Sequence, residues 1–210
     1  MAPPVRVPAL IPGRAFLHVI YDYRYLALAT WAWNTYGPDG TDADQARINL
    51  LAPGFGVMAQ DSLLVHVRAL VDFYAKGGGD ETDVLIGDFG FRPPAAWRVA
   101  KLKRYKASIE LHALHITAYR DPAHRWSVPA TPRRQSSRRI NWNKQNPRMA
   151  TELFETLRLT ARQARPWREP FQLLHEAASA LSVDSADKWP PELTEASDVR
   201  RYLKGLGIPT

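Results

Sequence analysis

Prolines and glycines divide this chain into long stretches, each with a helical pattern of apolar residues. Clusters such as Gly37-Pro38-Asp39-Gly40 and Gly77-Gly78-Gly79 end helices, because they supply backbone that is flexible or non-helical. No alternating strand pattern and no internal repeat competes with this arrangement. The sequence therefore predicts an all-α fold, a helical bundle of about six helices with a long basic loop. The predicted helices cover residues 14–36, 57–76, 95–119, 148–165, 166–181 and 194–204, with a further short helix at 41–51. A weak break near residues 103–106 leaves open whether 95–119 is one long helix or two.

The 210 residues fit one main domain with small appendages. A chain of this length buries about 70% of its unfolded surface, so it needs no disulfide or metal to fold. Four prolines among the first twelve residues predict an extended N-terminal arm over residues 1–13. The helical bundle domain then spans residues 14–181 and includes a basic loop over 121–146. Residues 182–210 are predicted to form a C-terminal extension with a short helix.

The absence of cysteine excludes disulfides and thiolate metal ligands. The nearest approach to a membrane segment is residues 15–33, but His18, Asp22 and Arg24 interrupt its apolar run. No charged region precedes a clean apolar core, as a signal peptide requires. We therefore expect a bacterial-type cytoplasmic protein with no membrane partner.

Positive charge is concentrated between residues 98 and 148. This basic segment holds thirteen Lys and Arg but only two carboxylates, Glu110 and Asp121, and has a net charge of +11. Because the whole chain carries +7, the remaining residues sum to −4. A segregated excess of this kind favours a polyanionic partner, RNA or DNA.

The loop part of the basic segment mixes cations with amides and tryptophan, groups that contact phosphates and stack on unpaired bases. It has no zinc-finger, recognition-helix or RNA-recognition-motif pattern, so we expect sequence-independent binding to the nucleic-acid backbone. The alternative is a solvated loop, or an acidic protein partner such as another copy of this chain. The predicted nucleic-acid-binding residues are Arg125, Arg133, Arg134, Arg138, Arg139, Trp142, Lys144 and Arg148.

A narrow polar strip interrupts the apolar helix predicted over residues 57–76. Asp61, Arg68 and Asp72 fall along one side of this helix, and apolar side chains cover most of the rest. Arg68 and Asp72, four residues apart, are expected to pair as an internal salt bridge or to form part of a site, because an unpaired buried charge is costly. We interpret His66, Arg68 and Asp72 as a structural polar cluster.

A second polar cluster lies in the apolar sequence of residues 109–117. His112 and His115 are three residues apart and could share a metal, but no third ligand is fixed by the spacing, so we predict no metal and no cofactor. Either imidazole could instead act as a general acid or base, because its pKa lies near neutrality. A hydrogen-bonded core histidine is the alternative.

The order of these motifs resembles a widespread family of uncharacterised bacterial helical proteins. The resemblance covers about residues 45–120 and rests on the helix from Asp61-Ser62 to Asp72-Phe73, the loop ending in Asp88-Phe89, and His115-Ile116-Thr117. Those proteins carry an acidic-Ser-x-Leu-x-His-x-Arg-x-Leu-x-Asp-Phe helix, an acidic Asp-Phe loop and an Ala-His-Leu-Thr helix. The family has no secure activity, so the resemblance implies a fold and the pairing of two polar helices.

This architecture is in turn similar to the HEPN helical domains of bacterial toxins and phage-defence systems, many of which are metal-independent ribonucleases. In those domains a helical Arg balances phosphate charge, and a His further along the helix helps to move the 2′-hydroxyl proton. The resemblance implies His112 or His115 as acid or base, and Lys106 or Arg120 on phosphate. The chain departs from the pattern at Lys106, because lysine lacks the bidentate fork of arginine.

Three hypotheses follow from the sequence. The preferred one is a bacterial helical protein that contacts RNA or DNA through the basic segment, in a defence or toxin–antitoxin setting. The second is a HEPN-like metal-independent endoribonuclease. The third is a structural or oligomerising protein, for instance a homo-oligomer, with no nucleic-acid role.

Overall fold

The computed structural model describes residues 12–36, 55–75, 83–110, 142–163, 166–184 and 189–210, which contain six α-helices and no strand. The prediction of an all-α helical bundle is confirmed. The helices are α1 (Pro12–Tyr36), α2 (Phe55–Ala75), α3 (Ala96–Ile109), α4 (Trp142–Ala161), α5 (Arg168–Leu181) and α6 (Ala196–Gly205). Short 3-10 turns lie at Ile86–Phe89 and Pro191–Leu193.

Helix α1 is the central element of the bundle. It packs against α2, α4, α5 and α6, and about half of its 25 residues are buried. The buried hydroxyl of Tyr23 lies 2.8 Å from that of Tyr74 on α2 and donates to the carbonyl oxygen of Leu153 on α4, 3.2 Å away. Burial raises the pKa of both tyrosines well above the ordinary value, so they remain neutral hydrogen-bonding groups. These hydroxyls join three helices inside the core.

An aromatic cluster fixes the connection between α2 and α3. Phe89 meets Trp167 with ring centroids 4.9 Å apart, and Phe16 meets Phe171 at 5.2 Å. The Asp88 carboxylate accepts from the backbone N–H of Leu85 at 2.7 Å, which closes the turn. Gly90 follows with a φ of 72°, a conformation that glycine adopts without strain. The described part of the connection, residues 83–95, is therefore packed onto the bundle, and residues 83–85 lie beside α1 and α2.

The C-terminal residues belong to the same core as the bundle. Trp189, Leu193, Val199, Leu203 and Ile208 are all buried members of the main hydrophobic cluster. The end of the chain also touches the start of α1, because a Cβ added to Gly13 would lie 2.5 Å from the carbonyl oxygen of Pro209. Residues 189–210 are thus packed against the bundle.

Two helix boundaries differ from the sequence prediction. Helix α1 begins at Pro12, so the last two residues of the predicted arm 1–13 are helical. Helix α4 begins at Trp142, six residues before the predicted start at Arg148, and residues 142–146 of the predicted basic loop are therefore helical. Pro147 lies in the second turn of α4, where it removes a single backbone hydrogen bond. The other residues of the predicted arm and loop, and the short helix predicted at 41–51, lie outside the described residues.

None of the helices in the described residues is both long enough and apolar enough to span a membrane.

Candidate functional site

The first two cations of the basic segment are held in a buried ion cluster. Arg98 and Glu152 are each only 8% exposed. Nη1 of Arg98 donates to one carboxylate oxygen of Glu152, and Nζ of Lys101 donates to the other. Nη1 of Arg98 also lies 3.4 Å from the hydroxyl of Thr156. One carboxylate from α4 thus binds two cations from α3, which makes this cluster a link between helices.

A second ionic chain joins α3 to α2. Nζ of Lys106 lies 2.5 Å from Oδ1 of Asp72 and 3.7 Å from Oε1 of Glu110. Nε of Arg68 lies 3.3 Å from the same Glu110 oxygen. The order Asp72, Lys106, Glu110, Arg68 therefore alternates in charge along the two helices.

The predicted internal salt bridge between Arg68 and Asp72 is wrong in both partner and environment. Each residue takes its partner from α3, and the Arg68 side chain is 48% exposed. The reason is geometric: Lys106 and Glu110 are themselves four residues apart, so they present opposite charges to α2 at the matching interval. Lys106, predicted as a phosphate contact, is already bound to two carboxylates.

His66 takes no part in this series of ion pairs between α2 and α3. Its Nδ1 lies 2.8 Å from Oδ1 of Asp22 on α1, and the residue is 7% exposed. Tyr25 stacks on the imidazole at 5.5 Å with an interplanar angle of 22°, and Tyr21 meets it edge-on at the same distance. The structure therefore divides the predicted cluster of His66, Arg68 and Asp72 into a histidine bound to α1 and two ions bound to α3.

A cavity of about 420 Å³ lies between these groups, bounded by α1, α2 and residues 83–85. Its lining mixes apolar side chains with charged ones. Its charged rim contains Asp22, Asp72 and Asp83 but only one arginine, Arg68. The lining therefore holds more carboxylates than guanidinium groups, which does not favour phosphate.

The outer face of α3 carries a different set of side chains. Leu102 and Ile109 point into the core, whereas Lys103 and Arg104 are exposed. Among the described residues, no carboxylate pairs with Lys103 or Arg104. Lys144 and Arg148, at the start of α4, are exposed as well. Among the described cations of the basic segment, Arg98, Lys101 and Lys106 are therefore bound to carboxylates, whereas Lys103 and Arg104 are directed to solvent.

Trp97 is a residue that the sequence prediction missed. It lies just before the basic segment, and its side chain is 62% exposed. The guanidinium carbon of Arg98 lies over its ring, 4.7 Å from the centroid. The sequence did contain a signal, because Trp97 and Arg104 are seven residues apart and therefore lie on the same side of a helix.

Most of the predicted site residues lie outside the described residues. These are His112, His115 and Arg120 of the catalytic hypothesis, and Arg125, Arg133, Arg134, Arg138 and Arg139 of the nucleic-acid hypothesis. The backbone of Trp142 is helical, and only the backbone of this residue belongs to the described part of the chain. In the described ranges, no group of three His, Asp or Glu side chains is placed to hold a metal ion.

Comparison with known proteins gave no relative: no protein-family model, no curated protein and no solved structure matches this chain.

Proposed function

We propose that this protein binds nucleic acid, RNA or DNA, through phosphate contacts made by the basic segment. One observation carries the proposal: α3 sorts its cations by side. Arg98, Lys101 and Lys106 are bound to carboxylates, whereas Lys103 and Arg104 are exposed and have no such partner among the described residues. Outward cations without partners are available to an external anion.

The charge of the segment points to a polyanion and not to a small anion. The segment carries thirteen cations, of which Arg98, Lys101 and Lys106 are bound to carboxylates of the described fold, while the rest of the chain is net negative. A nucleic acid carries evenly spaced phosphates, so it can contact an extended set of cations. Each such contact releases condensed counterions and thereby strengthens binding. Binding of this kind is independent of sequence. A bacterial defence or toxin–antitoxin setting is part of the proposal.

A double substitution on the outer face of α3 tests the proposal. Lys103→Gln with Arg104→Gln should weaken binding to RNA and lower the slope of log affinity against log salt by about two, because about one unit is lost per phosphate contact. The measurement is fluorescence anisotropy of a labelled oligonucleotide over a salt series. Both side chains are exposed, so the melting temperature should not change.

Arg200→Gln with Lys204→Gln is the matched control. It removes the same charge from exposed positions of α6, outside the basic segment. The control should bind like the wild type. Equal losses in the two double variants would mean that only net charge matters, and an unchanged affinity in the α3 variant would refute the proposed surface.

A HEPN-like metal-independent ribonuclease remains the second candidate, and one observation favours it. Helix α3 brings Glu110 to Arg68 on α2, and His112 and His115 follow directly in the sequence. Lys106 counts against it, because two carboxylates already occupy this cation. Incubating the same RNA with the protein in EDTA separates the candidates. Cleavage that is lost in His112→Ala or His115→Ala supports the enzyme, whereas retention of intact RNA supports the binding module.

A further inference from the structure

We propose that Trp97 is a stacking platform for an unpaired base, so that the nucleic acid bound at the outer face of α3 is single-stranded. The inference rests on the proposed function and adds the class of nucleic acid that this surface prefers. It uses a side chain that lies outside the basic segment.

The indole is exposed on one side and supported on the other. Trp97 is 62% exposed although tryptophan is a large apolar side chain. The guanidinium of Arg98 covers its ring at 4.7 Å, a cation–π contact. The same guanidinium donates to the buried carboxylate of Glu152. The contact with Glu152 therefore holds the Arg98 guanidinium in place behind the indole. Because the indole of Trp97 is supported in this way, it loses little conformational freedom when a base stacks on it.

One phosphate contact, Arg104, lies on the same side of α3 as Trp97. Arg104 follows Trp97 by seven residues, which is two helical turns and about 10 Å of rise. Lys103 is adjacent to Arg104, and both are exposed. A strand whose base stacks on Trp97 can place its neighbouring phosphates against these cations. An aromatic surface next to cations is the combination used by proteins that bind single strands.

The internal bases of a duplex cannot use the indole in this way. They are already stacked on both sides and paired, so exposing one face costs unstacking energy. The backbone of a duplex still contacts Lys103 and Arg104. Trp97 should therefore strengthen binding to single strands and leave duplex binding unchanged.

The test compares Trp97→Ala with the wild type on two labelled probes, an oligouridine of about 16 nucleotides and an RNA duplex of the same length. Trp97→Ala should weaken binding to the single strand by about 5- to 150-fold, the range found for loss of one stacked base. Its affinity for the duplex should stay within about twofold. Trp97→Phe should recover most of the loss, because a phenyl ring also stacks.

Tyr21→Ala is the matched control, since Tyr21 is an aromatic side chain with 55% exposure on α1, away from the basic segment. It should leave both affinities unchanged. Equal losses on both probes in Trp97→Ala, or no loss on the single strand, would overturn the inference while leaving salt-dependent binding by the wild type intact. If the wild type binds neither probe, the proposed function and this inference both fail.

Discussion

Glu152 is the shared ion-pair partner of two cations of the basic segment. Its carboxylate binds both Arg98 and Lys101 while only 8% exposed. Glu152→Gln keeps the shape of the side chain and removes its charge, which leaves Arg98 buried without a counter-ion. Loss of one partner of a buried pair costs about 3–5 kcal/mol. We expect the free energy of unfolding, measured by urea denaturation, to fall by about this amount.

Glu155→Gln is the control for that measurement. Glu155 is three residues along the same helix and pairs with Arg158 at 2.6 Å. The Arg158 hydrogen bond lowers the pKa of the Glu155 carboxyl, but solvent screens this surface pair. The control should therefore lose little stability. Coincident urea midpoints for the two variants would contradict the description of Glu152 as a buried anchor.

For individual residues, the sequence indicates which side chains are charged but not which of them are held in ion pairs. Arg98, Lys101 and Lys106 contribute to the charge of the basic segment, yet each is bound by a carboxylate that is distant in the chain, Glu152 or Asp72. The partner is 34 to 54 residues away, so no local spacing rule identifies it. The exposure of Trp97 also depends on tertiary packing. Only the structure separates inward from outward side chains.

At the scale of elements, contact between the two ends of the chain gives a test of the fold. A Cβ at position 13 would lie 2.5 Å from the carbonyl oxygen of Pro209 and 2.8 Å from Cα of Thr210. Both are backbone atoms, so rotation of a side chain cannot relieve the clash. Gly13→Ala should therefore lower the melting temperature, although alanine normally stabilises a helix relative to glycine.

A truncated chain provides the control. Removing residues 209–210 removes both clashing atoms, and in that background Gly13→Ala should become neutral or stabilising, by up to about 1 kcal/mol. A penalty of the same size in the full and truncated chains would show that the C-terminus does not pack against the start of α1. Differential scanning fluorimetry of the four proteins measures the interaction.

The helices were predictable where glycine and proline mark their ends, as for α1 and α2. The start of α4 was not predicted correctly. Proline is favoured in the first turn of a helix, so Pro147 indicated a start at Arg148, yet α4 begins at Trp142. Asn146 in the added turn is fully buried, and its amide has no hydrogen-bond partner among the described residues. A buried amide without a partner is costly, so Asn146 does not explain the added turn, and no local rule of the sequence predicts it.

For the whole molecule, the sequence predicts the fold class and the charge asymmetry, and it leaves the use of the charge open. The bundle contains an acidic-rimmed cavity beside α1 and α2, and it carries exposed cations on α3 and α4. The cavity carboxylates and the exposed cations therefore lie on different elements of the bundle. The histidines and arginines at residues 111–141 stay predictions, as does a homo-oligomer in which the basic segment of one copy contacts the acidic residues of another.

If the basic segment binds phosphates, the affinity of the protein for nucleic acid must fall steeply as the salt concentration rises. The measurement is the dissociation constant of the wild-type protein for labelled RNA at about 50 and 200 mM salt, held at one pH and temperature. About six phosphate contacts weaken binding roughly 10³-fold across this range, so we expect a loss of that order. An affinity that is the same at both salt concentrations would contradict the account.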